Sequence, residues 1–412
     1  MSTITIVPID PYQDGLTAGQ SLGRQGLRAR VGQLLKTAAL RDNLGAMTRA
    51  ALERLAVAKL ETPPDYGRYP ELADIYPERV EEVRGFAQGA GCSLAEAATL
   101  KYVEFREEIE RWYQVYQCAP APGHCSGVLL VGPDGVLQGQ CLDSGPPPKP
   151  ASHRWRAPRP YHGLRQLRTE TPKLVLRRPR TGYIESWGIG NERGVAYLGG
   201  GSCGVWLDEP IEDTWPIGRV PVLRFARDAA HLAELIQRYT LYNWGRSNDI
   251  YADRTGNAFV AEKSYRRVGI RWIGQDGVLW ATEGHFESPA MYEFLRNRRL
   301  AYVERMGKHL GAGDLQYATD CYVRFTRLGQ LCHENWGRGL EHVRRIITDH
   351  STFPRAICRH GGPDTAPYDT TVTMQSWIKD VTHNREYLRQ WVPWKKFCCE
   401  VPEKVTQFPP CP

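Results

Sequence analysis

Apolar positions divide the chain into two parts with different periods. From Leu27 to Ala58 they recur at mixed three- and four-residue steps among Arg and Ala, which predicts helix, and Pro63-Pro64 ends it. Ahead of it, residues 1 to about 15 read as a strand followed by a Pro/Asp/Gly turn. Tyr76-Pro77-Glu78 restarts a helix, because Pro is favoured in a first turn. Ser93-Leu94-Ala95-Glu96 has the form of a capping box. The helix it opens carries Leu100, Tyr102, Val103, Phe105 and Ile109 and ends near Tyr116. The first 124 residues are predicted to be mainly α.

From Cys125 the pattern is that of strands. Ser126 to Val131 is an apolar, β-branched run, and Gly132-Pro133-Asp134-Gly135 supplies turn chemistry. Val136 to Leu142 then leads back to an acid, Asp143. Further strands are predicted at Leu174–Leu176, Tyr183–Trp187, Val195–Leu198, Ser247 into the turn at Asn257, Ala258–Ala261, Ala281–Phe286 and Thr370–Ser376. Helices are predicted over Pro221–Tyr242, whose apolar residues keep to one side, and over Arg296–Leu310 and Glu341–Ile347. Pro146 to about Glu170 reads as an extended surface loop. The tail, with Trp391, Trp394 and its closing prolines, reads as a docked coil.

Antiparallel pairing brings the outer ends of a hairpin together, so a thiol at Cys125 and a carboxylate at Asp143 are predicted neighbours. Cys118-Ala-Pro-Ala-Pro-Gly-His124, just before the thiol, is Pro/Gly-rich and non-helical, as a cleavable junction would be. The plainer reading is a surface loop before a core hairpin, with Cys125 a small buried hydrophobe.

The pattern Cys125-Ser-Gly-Val…Pro-Asp-Gly…Leu-Gln-Gly-Gln-x-x-Asp143 resembles the nucleophile hairpin of the isopenicillin N acyltransferase-like family of N-terminal-nucleophile hydrolases. The family's Gly-Gln-Asn-x-Asp becomes Gly139-Gln140-Cys141-Leu142-Asp143 here, with Cys141 in place of Asn. Four further stretches are similar to family motifs, in order: Gly190–Ala196, Ser247–Gly256, Ala281–Phe286 and Arg355–His360. The resemblance implies an α+β fold, a four-layer αββα sandwich with a helical N-terminal segment. It also implies self-cleavage between His124 and Cys125. Residues 1–124 would then be a pro-segment, which becomes the small chain, and 125–412 the nucleophile-bearing part. Together the fragments would form a single domain and a heterodimer of the chain's own two pieces.

The chemistry such a cleavage would create follows from side-chain pKa values. A free α-amine titrates at roughly 7.7 to 8 and a thiol at about 8.5, so Cys125 would carry a base for its own nucleophile. The resemblance assigns Asn248 to the oxyanion, and Asp143 could orient the α-ammonium or the substrate amine. Arg359, Asn191 and His285 are possible substrate contacts. Each has a duller reading: Asn248 shaping a turn, Arg359 in a structural ion pair, His285 a satisfied buried histidine.

Composition narrows the classes. The 412 residues are 42% hydrophobic and 24% charged, a globular balance. No run reaches about 18 apolar residues, so no membrane span is expected, and Met1–Asp10 has no signal-peptide pattern, making the cytoplasm the default location. The 11 cysteines include no CxxC pair, so neither a zinc site nor a disulfide framework is indicated, and no cofactor is expected. The net charge of +7 is concentrated between Lys149 and Arg180, where ten cations face Glu170 alone. That stretch suits a phosphate-bearing acyl carrier, coenzyme A or an acyl carrier protein, as readily as it suits solvent. The leading expectation is a self-processing amidohydrolase or acyltransferase acting on a small amide or acyl thioester. A catalytically dead family member that binds a ligand is the alternative. Nucleic-acid binding ranks last, because stacking aromatics are scarce among the arginines.

Overall fold

A computed structural model describes residues 4–118, 125–144, 174–185, 190–199, 213–242, 248–264, 266–282, 287–291, 313–352, 355–360, 372–390 and 397–408. Strand β1 (Ile4–Pro8) leads into helix α1 (Pro11–Leu34). The stretch expected to be a turn is the helix start, because the Asp10 carboxylate accepts from Gln13 N at 3.0 Å and Pro11 occupies the first turn. The single helix expected over 27–58 is two. Turns follow Leu34, and α2 (Arg49–Glu61) begins anew where Thr48 caps Ala51 N. Helix α3 (Leu72–Ala90) starts before Pro77, which sits inside it at the cost of one backbone bond. Helix α4 (Leu94–Cys118) opens as expected: Glu96 N donates to Ser93 Oγ and Ser93 N to Glu96 Oε2, both at 3.1 Å. The Arg28 hydrogen bond, with help from Arg24, holds the Glu96 carboxyl down to about 2.

Eleven strands and three α-helices make up the rest of the described residues' regular structure. Strands β2 (Ser126–Gly132) and β3 (Gly135–Ser144) form the expected hairpin, with Gly135 at φ 91° closing the turn. They lie in a six-stranded antiparallel sheet. Its order is β12 (Lys404–Gln407), β11 (Arg385–Gln390), β10 (Val372–Asp380), β3, β2, β9 (Val278–Thr282). A second, four-stranded sheet runs β5 (Val195–Gly199), β6 (Asn248–Asp253), β7 (Ala258–Lys263), β8 (Val268–Trp272). Separately, β4 (Leu174–Arg178) pairs parallel with β1.

Three apolar clusters stack these elements. Val128, Leu130, Leu137 and Cys141 pack against Leu328 and Leu331 of α6 (Gly313–His333) and Val343 and Ile347 of α7 (Leu340–Ile347). Leu129, Val136 and Leu279 meet Ile250, Ala252 and Val260 between the two sheets. On the far face, Tyr251 and Phe259 pack on Leu232 and Ile236 of α5 (Ala229–Arg238) and on Leu72 and Ile75 of α3. Along the section that passes through the hairpin, the layers run helix, sheet, sheet, helix.

Several expectations are corrected. Pro221–Tyr242 is a short turn, Val222–Arg224, then α5, which begins where Asp228 accepts from His231 N at 2.8 Å, then a second short turn, Thr240–Tyr242. Tyr183–Glu185 contributes an isolated bridge, Glu185 to Asn191, rather than a strand. The tail is not all coil, since β11 and β12 extend the larger sheet. Helix α6 follows no periodic signal read from the sequence. The expected loop at 146–170 lies outside the described residues, and so do the helix at 296–310, His285, the Trp391–Trp394 stretch and the closing prolines. Among the described residues no helix is long and apolar enough to cross a membrane.

Candidate active site

The hairpin register sets the frame. Ser126 pairs with Cys141 on one side and Thr282 on the other, so Cys125 sits at the strand end beside the end of β3 that carries Asp143. Both residues are buried, at 7% and 2% exposure. Strand alternation separates what they face. Val128 and Leu130 face α6 and α7 while Leu129 faces the second sheet. Carried back to Cys125, this alternation aims the thiol between the sheets. Asp143, two residues beyond core-facing Cys141, lies on the helix side.

A buried charge network joins the two faces. Arg324 on α6 is wholly buried. Its Nη1 donates to Cys125 O at 2.9 Å and to Ser126 Oγ at 2.7 Å, and its Nε donates to Asp320 Oδ2 at 3.1 Å. Asp320 Oδ1 in turn accepts from Arg359 Nη2. Arg359 Nε lies 3.4 Å from Asp143 Oδ2. Thr373 closes the loop: its hydroxyl donates to Asp143 Oδ1 at 2.6 Å and accepts from Arg359 N at 2.7 Å. Two acids and two guanidiniums balance one another, which burial of charge requires. Burial lifts the Asp143 carboxyl to about 7, with Arg359, Arg324 and the Thr373 hydroxyl pulling the other way.

Asn248 is buried at the first position of β6. Like Ile250 and Ala252 it faces the larger sheet, and its Nδ2 donates to Thr282 O at 2.8 Å. Thr282 is the residue paired with Ser126, so the amide is anchored one position from the thiol-bearing residue. Its neighbour Asp249 points the other way and pairs with buried Lys263 at 2.7 Å.

The structure thus gathers Cys125, Asp143, Asn248 and Arg359 at one end of the stacked sheets. Asn191 is not built for substrate: both Nδ2 protons go to carbonyls, Leu223 O and Ala226 O at 2.7 Å each, and Oδ1 accepts from Arg193 N and Val195 N. It closes a turn instead. His124 and His285 lie outside the described residues. Cys141, at the departure from the motif, is core: its thiol donates to Ile347 O at 3.1 Å. Sequence reasoning missed Asp320, Arg324 and Thr373. An Asp and an Arg four residues apart on a helix are the ordinary signature of an exposed pair, so nothing local marks them as buried.

No family model and no curated protein matches this sequence. Solved structures do match. Penicillin V acylase from Agrobacterium tumefaciens is 14% identical, with TM-score 0.32 over 68% of this chain and 90% of that one. A mutant of conjugated bile acid hydrolase from Clostridium perfringens is 12% identical, with TM-score 0.31 over 69% of this chain and 97% of that one. Likeness at this level fixes neither fold nor activity.

Proposed function

We propose that the chain is a self-processing cysteine amidohydrolase or acyltransferase of the N-terminal-nucleophile kind, on an αββα sandwich, with Cys125 as nucleophile. The observation that carries this is the Arg324 grip on Cys125 O and Ser126 Oγ, continued through Asp320 and Arg359 to Asp143. A thiol serving only as core filler needs no buried guanidinium holding its own carbonyl.

In the unprocessed chain the Cys125 thiol attacks the carbonyl of His124. The peptide C–N bond breaks, the nitrogen takes up a proton, and a thioester forms. Water then hydrolyses the thioester, leaving a new α-amine and a free thiol on Cys125. In the mature enzyme the amine accepts the thiol proton and the thiolate attacks the substrate carbonyl. The oxyanion is met by the Asn248 amide, and the acyl group passes to water or to an amine. Asp143 serves the amine rather than the sulfur, which accords with its place on the helix side of the sheet. The buried, core-facing Cys141 supports an active enzyme over a dead relative, since the departure from the motif is absorbed by packing.

Intact-mass analysis of purified protein tests this. Wild type should give two fragments, one beginning at Cys125, that travel as one species on a sizing column. Residues 1–124 are the small chain of one shared domain in this reading. Cys125→Ala should stay whole. If Cys125→Ala is cut as fast as wild type, the thiol is not the processing nucleophile.

A further inference from the structure

The described residues contain one cluster with the donor set of a metal centre, made of none of the residues assigned to the proposed reaction. His350, Cys358, His360 and Cys399 bring one ligand atom each to within 4.8 Å of one another. His350 Nε2 lies 3.0 Å from His360 Nε2, which lies 3.1 Å from Cys399 Sγ and 3.8 Å from Cys358 Sγ. Four donors tetrahedrally placed around zinc, with Zn–N about 2.0 Å and Zn–S about 2.3 Å, stand roughly 3.3 to 3.8 Å apart. The observed separations bracket that range.

The backbone holds all four in place without a metal. Helix α7 ends just before His350, and Asp349 between them is fixed by Arg327 at 2.8 Å and by Ser351. Cys358 N donates to Asp349 O at 3.1 Å, and His360 forms a bridge to Val372. The His360 ring stacks on Phe397, with centroids 3.9 Å apart and planes within 3°, and Phe397 leads directly into the short turn carrying Cys399.

We propose that His350, Cys358, His360 and Cys399 form a closed Cys2His2 site for a zinc-like divalent ion. Binding releases two thiol protons, so the two thiolates neutralise the cation. With four protein ligands and no open position, the ion is structural. Its place gives it a task. Arg359 lies between two ligands, and its guanidinium reaches Asp143 and Asp320. The ion ties the C-terminal segment to the segment that presents Arg359 to the nucleophile's network. This last task rests on the function proposed above; the site itself does not.

The test uses the full chain, untagged and purified without chelator. Its zinc content is measured; the metal is then stripped, and Zn2+ alone or Co2+ alone is titrated back. One equivalent per chain is expected, with a thiolate-to-cobalt charge-transfer band in the cobalt form. Cys399→Ser and His350→Ala change half-exposed and exposed ligands, so both variants should fold, and a melting curve checks this. Each should weaken binding by more than the ten- to hundredfold that loss of an outer-shell partner costs. Cys92→Ser, in the helical part, should leave binding unchanged. Absence of stoichiometric uptake, or uptake equal to wild type in both ligand variants, overturns the site. So does an intact mass two hydrogens light, with Cys358 joined to Cys398, whose sulfurs are 3.8 Å apart. If the metal binds as expected and wild type still fails to cleave itself, the proposed function falls and the site stands.

Discussion

At the scale of single residues, the proposed reaction gives Asn248 and Asp143 separable duties. Asn248 is anchored to Thr282 O beside the strand that follows Cys125, so the oxyanion donor of the proposed reaction would be an amide already held in place. Asn248→Ala should lower turnover by about two to three orders of magnitude, as loss of one such donor does, with substrate binding changed far less. Steady-state kinetics on a processed sample reads both; equal losses in binding and turnover would remove the donor role. Asp143 gives a pH signature. Folding raises its carboxyl from about 3.9 to about 7, burial being the main cause. A raised pKa means that the folded chain holds this proton more tightly than the unfolded chain. The stabilisation is complete below about pH 4 and is lost as pH rises through about 7. In the uncleaved Cys125→Ala background, melting temperature should fall between about pH 5 and pH 8, and Asp143→Asn should flatten that fall. A steeper fall in the Asn variant would show that the ion pair with Arg359, not burial, governs this carboxyl.

At the scale of elements, two helices show how backbone contact constrains sequence. In α1 and α3, Gly15, Gly19, Gly85 and Gly89 meet at a crossing where a Cβ on Gly15 would stand 2.0 Å from Glu82 O and one on Gly85 2.0 Å from Tyr12 O. Gly85→Ala at an open helix position would gain up to about 1 kcal/mol from propensity. Here overpacking against a backbone that cannot retreat should reverse the sign, with a loss of about 1–3 kcal/mol. Gly32→Ala, with no atom within 4 Å of the added carbon, should be neutral or stabilising. Paired denaturant melts compare the two variants; similar effects would mean that the crossing opens readily. Elements with local signals were legible. Ser93 and Glu96 cap α4 as read, and the Ser126–Asp143 hairpin keeps its turn and register. Elements decided by competition were not. Pro77 is carried within α3 because burial of α1 on α3 outweighs its local penalty, whereas Asp10 with Pro11 is a local helix start that was read as a turn.

At the scale of the whole molecule, the helical first part and the strands share cores. Tyr69, Leu72, Ile75 and Tyr76 lie in the same cluster as Val195, Tyr251, Phe259 and α5, and the Tyr239 hydroxyl bonds Glu71 across that boundary. Period and turn chemistry are properties of neighbouring residues, so the sequence by itself determined the helical first part, the hairpin, and the shared end of Cys125 and Asp143. It also marked Asn248 and Arg359, by resemblance. Only the tertiary structure decided which face of the sheet each group takes and that Arg324 is buried against the carbonyl of Cys125. It alone drew His350, Cys358, His360 and Cys399, scattered in sequence with no CxxC among them, to one point. The physical reason is that a buried charge or a ligand set is defined by what surrounds it in space. Here the surroundings come from segments about 200 residues apart for Arg324 and Cys125, and about 40 for Cys358 and Cys399, distances over which local pattern carries no information.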